Sequence, residues 1–298
     1  MPTNAVGDGR RPDMLVTAAQ LTHSHGDSGA GPGGWALPVL IAAAMILLYL
    51  AGVGRLARAT RPWPVARTAS FVTGALVLAV AVSPPVEALT GGDPRGHMVQ
   101  HLLIGMYVPI AMVLGAPMTL LLTCLSPGHT GGMARVLRSR SVHVLAHPIT
   151  AGTIATAGLY VLYLTPLYTV STDSVVVHHA VHVHFLFSGY LFAWSIAGPD
   201  PAPRRPGMPA RAGVLIVTAG AHAYLAKLLY ARAAELPPGA GHEPDHIQQA
   251  AQLMYYGGDI AELALATALF TGWLARRRRD RARRISPTTP PSNFRTAG

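Results

Sequence analysis

Seven apolar runs in this sequence are each long enough to cross a lipid bilayer as a helix. A hydrocarbon layer of about 30 Å requires about 20 helical residues. The runs lie near residues 35–54, 68–89, 97–122, 149–169, 176–197, 212–232 and 247–274. Because lipid offers no hydrogen-bond partner to free backbone groups, each run is expected to be helical. The sequence therefore predicts an all-α, polytopic membrane bundle of seven transmembrane helices.

The composition and the ends of the chain agree with this fold class. Half of the residues are apolar and only 12% are charged, whereas about a quarter of the residues of a soluble domain are charged. The first 34 residues lack the basic and apolar regions of a secretory signal. We expect three segments: a flexible outer tail (1–34), a seven-helix membrane domain (35–275) and a basic cytoplasmic tail (276–298).

Arginine is distributed unevenly among the predicted loops. Eighteen of the 22 arginines lie in the connections after the first, third and fifth runs and in the C-terminal tail. The positive-inside rule makes these segments cytoplasmic and places the N-terminus outside. The net charge of +10 is then explained by topology, and the sequence does not favour nucleic-acid binding.

Four histidines stand at the start of the fifth run, where burial of apolar surface does not require them. Successive residues of a helix are rotated by about 100°, so His178 and His182 share one face. His179 lies within about 60° of His182, whereas His184 points to nearly the opposite face. The spacing predicts that three of the four imidazoles can converge and that His184 takes no part.

A second histidine pair, His97 and His101, opens the third run with the same four-residue spacing. Side chains four residues apart on a helix are neighbours. We expect the two helix starts to face each other and to bind one metal ion, with His97, His101, His178 and His182 as its ligands.

Copper is the favoured ion for this site. Imidazole suits copper, zinc, iron and nickel, and the nearby thioethers of Met98 and Met254 shift the preference toward Cu(I) over Cu(II). The auxiliary candidates are His179, His246, Asp245, Met98, His222 and Asp259.

The last run carries a polar stripe, which consists of Asp245, Gln249, Gln252, Tyr256 and Asp259. Steps of four, three, four and three residues place these side chains on one helix face, which we expect to line the bundle interior because polar groups are costly in lipid. His222 and Asp259 are expected at a similar depth, about 15 to 18 Å from the outer surface at 1.5 Å per residue. They form either a deeper functional layer, such as a proton relay, or a packed polar pair.

Three tyrosines close the fourth run, at positions 160, 163 and 168. Tyrosine is enriched at membrane–water interfaces. We interpret the three as part of an interfacial belt.

Several motifs, taken in order, resemble a known family. The stretches HMVQHLLIGMYVPIAMVLGAPMTLLL, LTPLYTVS and HHAVHVHFLFSGYLFAW, the last followed by GPDP, are similar to those of the CtaG-type cytochrome c oxidase assembly factors of bacterial membranes. The resemblance covers roughly residues 70–275, and the family's histidines match His97, His101, His178 and His182. The sequence departs from the family's pattern at Val181, where members often have Glu, and at Asp245–Gln248, where they often have an Asp-Gln pair.

The resemblance implies a multi-pass protein of the bacterial plasma membrane. Its expected function is to support copper insertion into a terminal cytochrome c oxidase, or maturation of that oxidase. The implied partners are the lipid bilayer, terminal oxidase subunits and a copper donor protein. Such a factor is not an enzyme, and the sequence contains no Ser/His/Asp or nucleotide-phosphate motif.

Two alternatives remain open at this point. A haem-binding b-type membrane cytochrome would use opposed single histidines and a cavity as wide as a porphyrin, whereas adjacent pairs suit a small ion. A copper permease would need ligands along the whole route through the membrane, and none lies at matching depth below Asp259 and Glu262.

Overall fold

A computed structural model describes residues 32–90, 92–202 and 205–285, and those residues form helices and connecting loops without strands. Residues 1–31 of the predicted outer tail and residues 286–298 of the basic tail lie outside this description. The helices, in chain order, are α1 (Pro32–Arg58), α2 (Val65–Ala81), α3 (Pro84–Thr90), α4 (Pro94–Leu102), α5 (Val108–Leu114), α6 (Pro117–Cys124), α7 (Pro127–Leu137), α8 (Arg140–Leu145), α9 (Pro148–Leu164), α10 (Leu167–Asp173), α11 (Val175–Ala197), α12 (Met208–Ala231) and α13 (Pro244–Ile285).

The described helices confirm an all-α membrane protein but not the predicted count of seven spans. Four are long and apolar enough to cross a bilayer: Ala36–Arg58, Pro94–Cys124, Val175–Ala197 and Met208–Ala231. A fifth is added if α9 and α10, which are bent by 79° to each other, count as one span. Helix α2 has only 17 residues, and the polar stripe makes α13 less apolar than a typical span. The inside–outside orientation stays a prediction.

The third predicted run is one span built from several helical pieces. Asp93 caps α4 by accepting a hydrogen bond from the Arg95 backbone N–H at 2.9 Å, and Pro94 takes the first helical position, where its missing N–H costs nothing. A π-helical turn at Leu103–Tyr107 joins α4 to α5. The chain then breaks at Ala116, which has φ +53°, before α6 begins at Pro117. Such a φ is uncommon for a residue with a side chain.

Helices α4 and α11 run in the same direction through the bundle, and the π-helical turn that follows α4 touches α11 through its backbone. A Cβ on Gly189 of α11 would overlap the carbonyl oxygen of Gly105, which lies in this turn. The turn and α11 therefore approach more closely than any side chain at position 189 would allow. Their histidine-bearing starts lie at one end of the bundle, hereafter the histidine end.

The opposite end is held by a cluster that we call the Asp200 clasp, made by Asp200, Arg205 and the groups that they bind. Asp200 is 2% exposed and accepts hydrogen bonds from the backbone N–H groups of Met118 (3.2 Å) and Thr119 (2.7 Å) and from the Thr119 hydroxyl. The first N–H groups of a helix have no partner within it. Asp200 supplies that partner to α6 from a distant part of the chain and stabilises the break at Ala116.

Two arginines complete the link between α11 and the loop that follows it. Arg205 donates to the carbonyl oxygens of Trp194, Gly198 and Asp200, and Arg211 donates to the carbonyl oxygen of Ile196 at 2.8 Å. Burial lowers the pKa of Arg205 to about 10, so this guanidinium remains charged at neutral pH. Carbonyl groups at the end of α11, which have no intrahelical partner, are thereby satisfied.

Candidate metal centre

The first turns of α4 and α11 bring three of the four predicted ligands together. The ring centroid of His178 lies 4.2 Å from that of His182 and 6.5 Å from that of His97. His97 and His182 are buried, and His178 is half-buried. The start of α11 is capped by Ser174, whose hydroxyl accepts a hydrogen bond from the Val177 backbone N–H. We call His97, His178, His179 and His182 the histidine cluster.

Two buried tyrosines pack around His97. The ring of Tyr168 lies 5.0 Å from that of His97 and the ring of Tyr163 lies 6.5 Å from it, both edge-on. Tyr163 is 2% exposed and Tyr168 3% exposed, so the prediction that they belong to an interfacial belt was wrong. The bend between α9 and α10 turns them inward, and they form an apolar wall beside the cluster.

The cluster contains a buried nitrogen that no hydrogen bond occupies and that is therefore free to bind an ion. Nε2 of His97 is buried without a hydrogen-bond partner, whereas buried polar atoms are normally satisfied. Two imidazoles on one ion, with bonds of about 2.0 Å, have ring centroids about 5 to 6 Å apart. The separation of His97 from His178 is near this value, whereas His178 and His182 are too close and would have to move apart.

The cluster is not arranged as a finished metal site. Within residues 32–90, 92–202 and 205–285, no three His, Cys, Asp or Glu side chains surround a common point at ligand distance. A groove of about 340 Å³, lined in part by Glu87, His179 and His182, reaches the cluster from the side of α1 and α2.

His101, the fourth predicted ligand, lies one turn deeper and faces a different group. Its ring packs 4.4 Å from that of Phe185 and lines an internal cavity of about 70 Å³ together with His222 and Glu262. His101 also interacts electrostatically with His222, His97 and His182. It therefore adjoins both the histidine cluster and the deeper cavity.

The deeper acidic partner of His222 is Glu262 and not Asp259 as predicted. Nδ1 of His222 lies 3.6 Å from Oε1 of Glu262, slightly beyond hydrogen-bond distance. Asp259 is exposed and does not face the bundle interior. The sequence signal for Glu262 was available, because it is an acidic residue three positions further along the same apolar run.

The polar stripe of α13 is exposed throughout, which contradicts the prediction that it lines the interior. Asp245, Gln249, Gln252 and Asp259 are all exposed, and Tyr256 is 66% exposed. The buried face of α13 is formed by small and apolar residues instead: Ile247, Ala250, Ala251, Met254, Ala261, Leu265 and Leu269. Small side chains let α13 pack closely against α4 and α12.

The other auxiliary candidates lie at varied distances from the cluster. His179 is 5.8 Å from His178 between ring centroids, and its Nδ1 pairs with the Val175 carbonyl oxygen at 2.8 Å. Met98 is 2% exposed, and its sulfur accepts a weak hydrogen bond from the Tyr163 hydroxyl at 3.8 Å. His246 lies near Asp93 and interacts with it electrostatically.

His184 lies apart from the cluster, as the helical spacing predicted. It is exposed and packs against Gly158 of α9, where a Cβ would overlap its ring. Helix α11 is continuous from Val175 to Ala197, so the predicted register is confirmed. Whether His184 is dispensable for metal binding stays a prediction.

An ion pair fixes the loop that leads into α4. The Arg95 guanidinium bonds the Asp93 carboxylate at 2.6 Å and donates to the Gln249 side chain at 2.9 Å. Hydrogen bonding to Arg95 lowers the pKa of Asp93 from 3.8 to about 2. This pair ties the start of α4, and with it His97, to α13.

Comparison with known proteins shows where the chain belongs. Uncharacterised proteins of Mycobacterium bovis and Mycobacterium tuberculosis are each 37% identical to it over 204 residues, and one of Mycobacterium leprae is 35% identical over the same length. Each of these alignments covers 64% of this chain but only 30% of the relative, so the chain spans about a third of the length of the curated relatives that it matches. No solved structure matches it significantly. Residues 47–276 match the family of cytochrome c oxidase caa3 assembly factors, and the chain is a member of that family.

Proposed function

We propose that the chain is a membrane assembly factor that binds copper at the histidine end and supports its insertion into a terminal cytochrome c oxidase of the bacterial plasma membrane. The observation that carries the copper assignment is the convergence of His97, His178 and His182 from two helix starts. Membership of the assembly-factor family supplies the oxidase. On this proposal copper is cargo and the protein has no catalytic step.

The chemistry of the cluster supports a soft or borderline cation. Imidazole nitrogens are its main donors, and copper accepts them readily. The buried wall formed by Tyr163 and Tyr168 excludes water from one side, which strengthens each bond to the ion but adds no negative charge. A monovalent cuprous ion suits such a neutral donor set better than a divalent ion does.

The outer location of the cluster rests on the arginine distribution. If the positive-inside rule holds for this chain, the histidine end faces away from the cytoplasm. A copper donor protein would then reach the cluster from outside, through the groove lined by Glu87 and His179.

A haem is less well supported by the same geometry. The cavity of about 70 Å³ between His101 and His222 is much smaller than the roughly 300–1,000 Å³ of ordinary ligand pockets, and the groove of about 340 Å³ beside the histidine cluster is at the lower end of that range. The histidines also converge as neighbours and do not oppose each other across a plate-shaped gap. An absorption spectrum of the purified protein without a haem band is the expected result.

Copper binding is tested by replacing histidines that lie on different faces of α11. The His182→Ala variant is expected to bind less copper than the wild type, because His182 is in the cluster, whereas the matched His184→Ala variant keeps the wild-type amount. The His101→Ala/His182→Ala double variant is expected to lose its copper. Mass spectrometry of the detergent-purified proteins measures the metal, and unchanged copper in the double variant would contradict the proposal.

The assembly function is tested in cells. A deletion strain grown in limiting copper is expected to contain the terminal oxidase in a poorly active, copper-deficient form. Normal oxidase activity and normal copper content in its membranes would rule out the assembly function.

A further inference from the structure

A second set of unpartnered imidazoles lies below the histidine cluster. His101 and His222 are 3% and 5% exposed, and neither ring nitrogen of either residue has a hydrogen-bond partner. Both rings line the internal cavity of about 70 Å³, together with the carboxyl group of Glu262. Leaving four ring nitrogens unpaired in a buried site is costly, so the cavity is suited to a bound group that would satisfy them.

A neighbouring glycine leaves room for the His222 ring beside the cavity. A Cβ on Gly258 would overlap the imidazole of His222. The ring therefore occupies space that a side chain at position 258 would otherwise fill. At Gly105, in contrast, a Cβ would make only an ordinary contact with the His101 ring, 3.4 Å from its Cε1.

The charge of Glu262 decides which class of ligand the cavity can accept. An isolated cation in an apolar interior carries a large desolvation cost. Glu262 can offset this cost for one positive charge, because its Oε1 lies 3.6 Å from Nδ1 of His222. A monovalent cation held by two imidazoles and one carboxylate would leave the site electrically neutral.

The number of donors points to the same ion. A divalent transition metal prefers about four ligands, and no three His, Cys, Asp or Glu side chains converge at ligand distance in the described part of the chain. A cuprous ion accepts two imidazole nitrogens in a nearly linear arrangement. His101 and His222 line the same cavity and offer two such nitrogens, since none of their ring nitrogens has a hydrogen-bond partner.

We propose that this cavity is a second copper site, in which His101 and His222 each donate one ring nitrogen to a cuprous ion and Glu262 balances its charge. The identity of the ion rests on the proposed function of the histidine cluster. His101 interacts electrostatically with His97 and His182 as well as with His222. His101 therefore adjoins both sites, and on this proposal the protein holds up to two copper ions, one turn apart.

Water is the competing occupant. A cavity of this size has room for several water molecules, and water could satisfy the imidazoles and Glu262 by hydrogen bonds. In that case the cavity would bind no copper.

The test is a copper titration of the full chain in detergent under reducing, oxygen-free conditions, against a competing cuprous chelator. The wild type is expected to bind two copper ions. The His222→Gln and His182→Ala variants are expected to bind one each, because each loses a different site.

The Glu262→Gln variant retains a side chain of the same size but loses the balancing charge, so its second ion should bind at least tenfold more weakly. Asp259→Asn is the matched control, since it removes an exposed carboxylate from the same helix, and it should bind two ions with unchanged affinity.

The possible outcomes separate the two proposals. One copper ion in the wild type, retained by His222→Gln and by Glu262→Gln, would overturn the second site and assign the cavity to water. No copper in the wild type would overturn the proposed function itself. If His222→Gln fails to fold, the comparison of Glu262→Gln with Asp259→Asn decides, because equal affinities in these two variants also overturn the second site.

Discussion

The two ends of the bundle differ in what their buried polar groups contact. At the Asp200 clasp, Asp200 accepts three hydrogen bonds and Arg205 donates three, although Nε of Arg205 has no partner. At the histidine end, Nε2 of His97 and both ring nitrogens of His101 lack partners. Polar groups that bond each other stabilise the fold, whereas polar groups that stay unpaired are available to a ligand. The difference predicts opposite effects of mutation at the two ends.

The largest effect on stability is expected for Asp200→Ala. This change removes the cap of α6 and leaves two partly buried N–H groups and a hydroxyl unpaired, at a cost of about 3 kcal/mol in the free energy of unfolding. Unfolding in detergent with increasing denaturant measures it. Copper bound per folded molecule should be unchanged, and a stability equal to that of the wild type would show that the clasp is not structural.

The next largest effect is expected for Gly189→Ala, which should lower both the stability of the fold and the affinity for copper. The added Cβ would overlap the Gly105 carbonyl oxygen, so α11 must move away from the π-helical turn that follows α4. Forcing an extra group into such a contact costs about 1–3 kcal/mol. We expect copper affinity to fall about tenfold, measured by chelator competition. Gly213→Ala is the control, because a Cβ there meets no atom within 4 Å.

A smaller effect on stability, with a large effect on binding, is expected for His97→Phe. Replacing an unpaired buried polar ring with an apolar ring of similar shape is nearly neutral or stabilising, so the free energy of unfolding without copper should change by less than about 1 kcal/mol. Bound copper should fall at the same time. A loss of stability as large as that of Asp200→Ala would mean that His97 is a structural residue like those of the clasp.

The smallest effect is expected at Asp93, which is partly exposed. Its pKa in the folded chain is about 2, against 3.8 ordinarily, so its interaction with Arg95 stabilises the fold above pH 3.8 and is lost as the pH falls toward 2. Because the pair is largely exposed, solvent screening keeps its contribution to the free energy of unfolding small. The Asp93→Asn variant should remove that part of the pH dependence of unfolding, and an unchanged profile would contradict the assignment.

Helical spacing alone predicted the relative directions of the histidines on α11. His178 and His182 share a face, and His184 lies apart from them, because these relations depend only on the rotation per residue. The family resemblance was likewise confirmed, since it rests on several motifs in order along the chain.

The direction in which a helix face points could not be predicted in the same way. The polar stripe of α13 does form one face, but the face is exposed. Periodicity shows which residues lie together, whereas the neighbours that pack on the helix decide which face is buried. Ala250, Ala251 and Met254 form that buried face, and their small or flexible side chains allow close packing.

Contacts between distant parts of the chain could not be predicted from sequence patterns either. Asp200 caps a helix that begins at Pro117, more than 80 residues earlier. The 79° bend after Leu164, which carries Tyr168 to His97, leaves no trace in hydropathy because both flanking segments are apolar. Pro166 was visible, but a proline in a membrane segment does not by itself give an angle.

The contact between Gly105 and Gly189 has a consequence for the distance between the histidine pairs. His182 lies seven residues before Gly189, which is about 10 Å along the helix at 1.5 Å per residue, and His101 lies one turn before Gly105. The helix axes are thus fixed at a point where neither helix has a side chain, and small tilts about that point change the spacing of imidazoles further along. A tilt of about 6° would move His182 by about 1 Å relative to α4, which is half the length of a metal–nitrogen bond of about 2.0 Å. The separation of the imidazoles is therefore set by the absence of a single methyl group, at position 189.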